Sequence, residues 1–388
     1  MSVRLDVTLD ELRRQRRGVK WTVFGPDAVP AWVADMDYPI AEPIKRAITD
    51  VLERDDLGYP PLDLSVRFAE AFAGRMSERY DWEPDPSGVF AVCDLIQPML
   101  STIATFSEPG EGVVLQTPLY YPFFDAVDEL ARRRVENPLV AEKGRFEMNL
   151  TGLGAIVDPE TRILMLCNPH NPTGRVFERS ELEGVAEVAL RHDLVVVSDE
   201  VHADLVFAPH RHVPFASLAP EVAERTITLT SATKAFNIAG VNCALMHFGS
   251  EALAARHAER FHPRLLGTPS VLGLAATIAA WREGGEWLDA VARQLDENRH
   301  RVARFLAERI PGVAYSLPEA SYLAWLDCSA LDLPKRPWKY FLTEAGVALH
   351  DGRKFSSTTE DCVRLNYATS PAVLDEILER MASAVAVP

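Results

Sequence analysis

A lysine follows directly on a β-branched run in TLTSATKAFNIAG, where Lys234 stands in a turn among small and hydroxyl residues. Most lysines are solvated surface charges. One that is partly desolvated in a pocket loses basicity and can form a Schiff base with an aldehyde. Ser231, three residues earlier, can donate its hydroxyl to a phosphate, although the S-x-x-K spacing alone also occurs in unrelated serine enzymes. A second string, SDEVHADL, puts Asp199 at the end of an apolar run. A carboxylate there is costly unless it meets a cation or strong donors. A protonated pyridine nitrogen is such a cation, and it would join this Asp to the Lys in the chemistry of pyridoxal 5'-phosphate (PLP), whose ring draws electrons while that nitrogen stays protonated. A helix N-cap, or a metal held by Glu200, His202 and Asp204, would also use this string. No further His/Cys cluster supports a metal, and none is expected. The third string, CNPHNPTG, is dense in turn formers and reads by itself as a tight loop after a strand. In a PLP site Asn171 would hydrogen-bond the phenolic oxygen of the cofactor.

These strings fall just after short β-branched runs. GVFAVC, GVVLQ, TRILMLC, DLVVVSD, RTITLT and VNCALMHF alternate with helical segments from about residue 88. Such alternation predicts a mainly parallel sheet with helices on both faces, and ligands on such sheets bind at the carboxyl ends of the strands. Three strand ends thus point at one crevice. Before them, IKRAITDVLERDD and LSVRFAEAFAGRMSERY read as amphipathic helices on either side of a GYPP turn. After about residue 285 a long helical stretch leads into SYLAWLD, GVALH, CVRLNYA and a closing helix, which predicts a second, α+β unit. The expected division is residues 41–284 as the large domain and 285–388 as the small one, with residues 1–40 packing on the small domain.

Taken together, NPHNPTG, SDEVHADL and SATKAFNIAG resemble the signature blocks of fold type I PLP-dependent enzymes of the class I/II aminotransferase superfamily. The spacings fit as well, with 28 residues from Asn171 to Asp199 and 35 from Asp199 to Lys234. Lys20–Trp21, WVADMDY, PEASYLAWLD and VRLNYA resemble the carbon-sulfur β-lyase branch, the cystathionine β-lyases of MalY/PatB type. The resemblance covers nearly the whole chain. It implies an α/β fold, a large mainly parallel sheet domain with a smaller α+β domain. It also implies roles for individual residues. Lys234 would bind PLP covalently, Asp199 would pair with the pyridinium nitrogen, and Asn171 and His202 would neighbour the phenolic oxygen. Tyr120 would stack on the ring, while Ser231 and the backbone at Asp94 and Leu95 would receive the phosphate at a helix start. Tyr59, in the LGYP turn, would reach the phosphate of a neighbouring subunit, which makes a homodimer with shared active sites the expected assembly. Arg364 would clamp the substrate α-carboxylate through its two-pronged guanidinium, helped by the backbone N–H of Ala34. Two departures stand out: Asp94 replaces the usual glycine of the phosphate loop, and Asn242 stands where many aminotransferases carry a phosphate-binding Arg.

The expected reaction is α,β-elimination from L-cystathionine or a related cysteine S-conjugate to a thiol, pyruvate and ammonia. Transamination uses the same residues and is the alternative; a PLP-dependent regulator acting through protein contacts is a remote one. Composition narrows the partners. The chain has 388 residues, beyond one small binding module, and a net charge of −16 from 40 basic and 56 acidic residues. That field repels phosphate backbones and anionic membranes, so neither nucleic acid nor membrane is an expected partner, while a small amino-acid substrate is. Five cysteines, far apart and with no C-x-x-C pair, fit a reducing compartment. The N-terminal stretch lacks an apolar signal-peptide core and the apolar run at Val271–Trp281 is too short to span a bilayer. A cytoplasmic location follows as the expectation.

Overall fold

Seven strands build the large sheet in a computed structural model that describes residues 3–142 and 144–386. They are β1 (Val89–Val92), β2 (Gly112–Thr117), β3 (Arg133–Pro138), β4 (Thr161–Cys167), β5 (Val195–Asp199), β6 (Thr226–Thr230) and β7 (Ala244–Phe248). Side by side they run β1-β7-β6-β5-β4-β2-β3. The pairs among β2 to β6 are parallel, and β7 runs antiparallel to both β6 and β1. Strands β2, β6 and β7 are buried along their whole length, as a sheet covered on both faces requires. One apolar cluster, with Val113, Leu115, Phe123 and Met165, lies on one face, and another, with Val114, Leu164, Val185 and Val196, lies on the other. The six β-branched runs are all strands. The seventh, β3, is not legible as one, because it lies at the sheet edge and buries only Val135 and Asn137 between charged neighbours.

Helices α1 (Glu42–Glu53) and α2 (Leu62–Tyr80) pack on α4 (Val271–Glu283), and α3 (Ile96–Phe106) leaves the sheet just after β1. In α2 the residues Leu64, Phe68, Phe72 and Met76 recur every fourth position and are all buried, which gives the helix its apolar stripe. The 25-residue α5 (Gly285–Arg309) leads to the second sheet. That sheet is antiparallel, in the order β8-β9-β11-β10, with β8 (Ala314–Tyr315), β9 (Leu323–Asp327), β10 (His350–Asp351) and β11 (Cys362–Asn366); α6 (Pro371–Val385) closes the chain.

The N-terminal segment is stitched to this second sheet. Val29–Pro30 pairs in parallel with Val347–Ala348. Asn366 Nδ2 donates to the carbonyls of Val33 (2.7 Å) and Asp35 (2.6 Å). Lys20 and Asp37, only 3% and 2% exposed, form an ion pair at 2.9 Å, and Trp21 Nε1 donates to the same Asp37 carboxylate at 3.0 Å. The Lys-Trp pair and the WVADMDY string therefore have a structural use, which is to fold residues 20–38 over the edge of the crevice.

Candidate active site

Parallel register sets the floor of the crevice. Cys167 at the end of β4 lies opposite Asp199 at the end of β5, which lies opposite Leu229 in β6. The chain after each strand then supplies Asn171, His202, Ser231 and Lys234. All four, with Asp199, Asp94, Leu95, Tyr120, Ala34 and Arg364, line one cavity of about 240 Å³. Of the residues expected to contact the cofactor or the substrate, Tyr59 alone lies elsewhere: it is 101% exposed, in the turn between α1 and α2.

Charges in this cavity are left unmatched. Arg364, on β11, is 2% exposed. Its guanidinium donates to Asn171 Oδ1 (2.9 Å), the Trp32 carbonyl (3.2 Å) and His350 Nδ1 (3.3 Å), lies 4.9 Å from the centre of the Phe355 ring, and leaves Nε without a partner among the described residues. No carboxylate among the described residues pairs with it. Burial pulls its pKa down to about 10, with the hydroxyls of Tyr120, Tyr322 and Tyr121 offering only partial compensation. Asp199 is the converse, a buried carboxylate whose side chain accepts one hydrogen bond, from Val201 N–H at 3.1 Å. Burial pushes its pKa up to about 7, partly offset by that bond and by Lys234. Lys234 Nζ donates to the Ala34 carbonyl at 3.3 Å, and burial lowers its basicity, with the Arg364 charge adding to the effect and Asp35 and Asp199 opposing it.

His202 and Tyr120 are neutral. His202 is pulled down to about 3 by burial and by the charges of Lys234 and Arg364, so its imidazole stays uncharged, with Nδ1 3.1 Å from the Ser321 hydroxyl. Tyr120 keeps its proton, since burial raises it to about 12; its ring packs edge-on against Tyr121 at 5.0 Å. Ser231 Oγ donates to the Cys243 carbonyl at 2.7 Å and accepts from Thr233 N–H at 3.0 Å. Asp94 Oδ1 accepts from Ile96 N–H (2.8 Å) and Gln97 N–H (3.0 Å), so the anion at the start of α3 is the chain's own carboxylate. The N–H groups of Asp94 and Leu95 make no hydrogen bond among the described residues. Asn242 follows on the same wall, in the left-handed region at φ 48°.

The acids and the one histidine of SDEVHADL part company after Asp199. Glu200 accepts from Ser198 Oγ (2.8 Å) and pairs with His212 (2.9 Å), Asp204 is held by Arg75 and Tyr80, and His202 turns into the cavity. They converge on no common point where a metal could sit.

Sequence reasoning missed several residues of the site. Tyr322 donates to the Ala34 carbonyl at 2.9 Å, so that carbonyl accepts from both Tyr322 and Lys234. His350 contacts Arg364 and, with burial and the Arg364 charge pulling it down to about 3, is neutral. Tyr121 and Trp32 complete the wall. Ser321 holds φ 71°, a region a non-glycine residue rarely adopts, and so keeps its hydroxyl on His202. Gly174, at φ 71°, meets Pro318 so closely that a Cβ would lie 2.4 Å from the proline Cβ, and its carbonyl accepts from Glu319 and Ala320 N–H. That contact locks the NPHNPTG loop to the PEASY string. PEASY itself carried the only signal for Ser321 and Tyr322; His350 had none.

Residues 33–381 match the family of class I and II aminotransferases. Cystathionine beta-lyase PatB of Bacillus subtilis is 33% identical over 382 residues, 97% of this chain and 98% of that protein. Among solved structures, OvoB superposes with a TM-score of 0.93 at 34% identity, covering 100% of this chain and 99% of its own. Cystalysin of Treponema denticola, whose structure contains PLP, superposes with a TM-score of 0.93 at 28% identity and covers 99% of each chain. The chain therefore belongs to the class I and II aminotransferase family, in the branch that holds the PatB-type cystathionine β-lyases.

Proposed function

We propose that this chain is a PLP-dependent carbon-sulfur β-lyase that cleaves L-cystathionine or a related cysteine S-conjugate to a thiol, pyruvate and ammonia. The observation that carries the reading is that Arg364 and Asp199, both buried, have no ion-pair partner among the described residues and face one cavity with Lys234. An isolated buried charge is costly, so each calls for a partner from outside the chain. The residues fit PLP. Asp199 suits a protonated ring nitrogen, Tyr120 offers an aromatic face, the Asn171 amide and His202 offer neutral contacts to the phenolic oxygen, and Ser231 with the free N–H groups of Asp94 and Leu95 suits the phosphate.

When bound, PLP supplies an aldehyde for the amine and a ring that takes up the electron pair of the broken α C–H bond. The chain's own residues do the rest. Arg364 binds both oxygens of the α-carboxylate and so fixes which bond at the α-carbon is presented for cleavage, an orienting role that accounts for much of such catalysis. Lys234 Nζ, its basicity lowered from the ordinary lysine value by burial, is the amine placed in the cavity to accept the α-proton. Asp199 keeps the proton on the ring nitrogen. The neutral His202 and Tyr120 add no charge that would pull Arg364 or Asp199 from these tasks. Loss of sulfur from the β-carbon and hydrolysis of the remaining enamine give the products.

The assembly belongs to the same reading: a cytoplasmic homodimer in which the exposed Tyr59 reaches the partner's phosphate site. Leu57 and Leu62, 60% and 90% exposed beside it, support a covered surface there. All five cysteines are free, which suits a reducing compartment, and no helix among the described residues is long and apolar enough to cross a membrane. Incubating PLP-loaded protein with L-cystathionine tests the chemistry. Thiol and pyruvate are expected with no keto-acid acceptor added; turnover that strictly needs such an acceptor would overturn the lyase reading in favour of transamination.

A further inference from the structure

Tyr121 forms a wall of two cavities. One is the site above, and the other, of about 350 Å³, opens beside it and is lined by Asp125, Arg134, Glu136, Arg353 and Lys354. Arg134 is already neutralised by Asp128 and lies 4.7 Å over the Phe124 ring. The other four are exposed and carry no ion pair among the described residues. This cavity, which shares the Tyr121 wall with the site, therefore offers two free cations and two free carboxylates.

The cations are rigidly tied to the substrate clamp. Phe355, directly after Lys354, is fully buried beneath the Arg364 guanidinium, and its carbonyl accepts from Leu119 N–H at 2.8 Å. Gly352, just before Arg353, packs so tightly that a Cβ would lie 2.2 Å from the Cys362 carbonyl oxygen on β11. Asp351 accepts from Arg353 N–H at 3.2 Å, and Thr359 Oγ1 donates to the Gly352 carbonyl at 2.9 Å. The turn cannot drift from β11, so Arg353 and Lys354 keep a set position relative to Arg364. The acids are equally fixed, Asp125 on the helix Pro122–Glu129 and Glu136 on β3.

We propose that this second cavity binds the far end of the substrate, and that this end is a zwitterionic amino-acid head carried on the leaving thiol. Its carboxylate meets Arg353 and Lys354, and its ammonium meets Asp125 and Glu136. The preferred substrates are then cysteine S-conjugates whose released thiol is itself an amino acid, ahead of those with a plain alkyl tail. The inference rests on the lyase reading for its orientation, with the α-carboxylate at Arg364.

The test compares L-cystathionine with S-ethyl-L-cysteine on PLP-loaded wild type, on Arg353→Ala/Lys354→Ala and on Asp125→Asn/Glu136→Gln. Both kcat and KM are measured, together with affinity from the change in the visible spectrum. Each double variant is expected to lower kcat/KM for cystathionine about tenfold, through KM, the usual scale for a lost charge-assisted contact. S-ethylcysteine should change less than about twofold, since it reaches neither pair. Equal losses on both substrates, or none on either, would overturn the proposal while leaving the lyase reading intact. If no thiol is released from either substrate, the lyase reading fails, and the spectral affinities still decide: tail-dependent binding that the variants abolish sustains the second cavity's role, and tail-independent binding contradicts it.

Discussion

Arg364 and Asp199 carry the account at the scale of single residues, because each is buried with a charge its own chain does not balance. Replacing Arg364 with Lys keeps the charge but loses the fork that grips two oxygens. The expected result is a KM raised about 100-fold with a smaller fall in kcat, read from initial rates; an unchanged KM would remove Arg364 from the carboxylate. Asp199 makes a pH prediction for the cofactor-free protein. Its pKa rises from the ordinary 3.8 to about 7 on burial, so between those values the folded state holds a proton that the unfolded state has lost. Stability from this group is full below pH 3.8 and is lost as the pH rises through about 7. Asp199→Asn removes the penalty, so thermal melts of the cofactor-free variant should match wild type near pH 4 and exceed it by a few degrees above pH 7. A constant gap would contradict this. Asp199 was legible in sequence because a carboxylate at the end of an apolar strand needs a reason, whereas Arg364 was signalled only by the resemblance of VRLNYA. Tyr121 and His350 were not legible, since an aromatic or a histidine in such strings is ordinary until packing brings chain segments more than 200 residues apart into contact.

Strand ends and one folded-over segment position these groups. Six of the seven strands of the large sheet could be read from β-branched runs, because a strand covered on both faces must be apolar throughout. The edge strand β3 escaped that test, and the reversed direction of β7 leaves no trace in a sequence whose alternation is the same either way. The N-terminal segment was legible as a resemblance but not as a mechanism. The Lys20–Asp37 ion pair supplies one, since it holds Trp32 and Ala34 against the cavity. Lys20→Met should strand Asp37 as an uncompensated buried charge and cost about 3 kcal/mol, measured by urea denaturation. The double variant Lys20→Met/Asp37→Leu should recover most of that loss. Recovery absent, or a single variant as stable as wild type, would show that the pair does not pin the segment.

For the whole molecule, we propose that residues 41–284 and 285–388 act as large and small domains with residues 1–40 on the small one, and that two copies complete each other's sites. Every residue expected to contact the cofactor or the substrate except Tyr59 meets in the one crevice, and Tyr59 points fully into solvent. A sequence could signal that tyrosine only by resemblance, because a turn on the surface looks alike whether or not a second copy covers it. Mixing inactive Lys234→Ala protein with weakened Tyr59→Ala protein tests the shared site. Subunit exchange that rebuilds one intact site per mixed dimer should restore about a quarter of wild-type activity; no restoration after verified exchange would confine each site to one chain.

Borohydride reduction of the PLP-loaded protein, followed by peptide mass analysis, addresses the central claim most directly, since it fixes an aldehyde to whatever amine it is bonded to. The expected result is one phosphopyridoxyl group per chain, on the peptide containing Lys234, with none in Lys234→Ala. Label spread over surface lysines, or retained in the variant, would contradict the account.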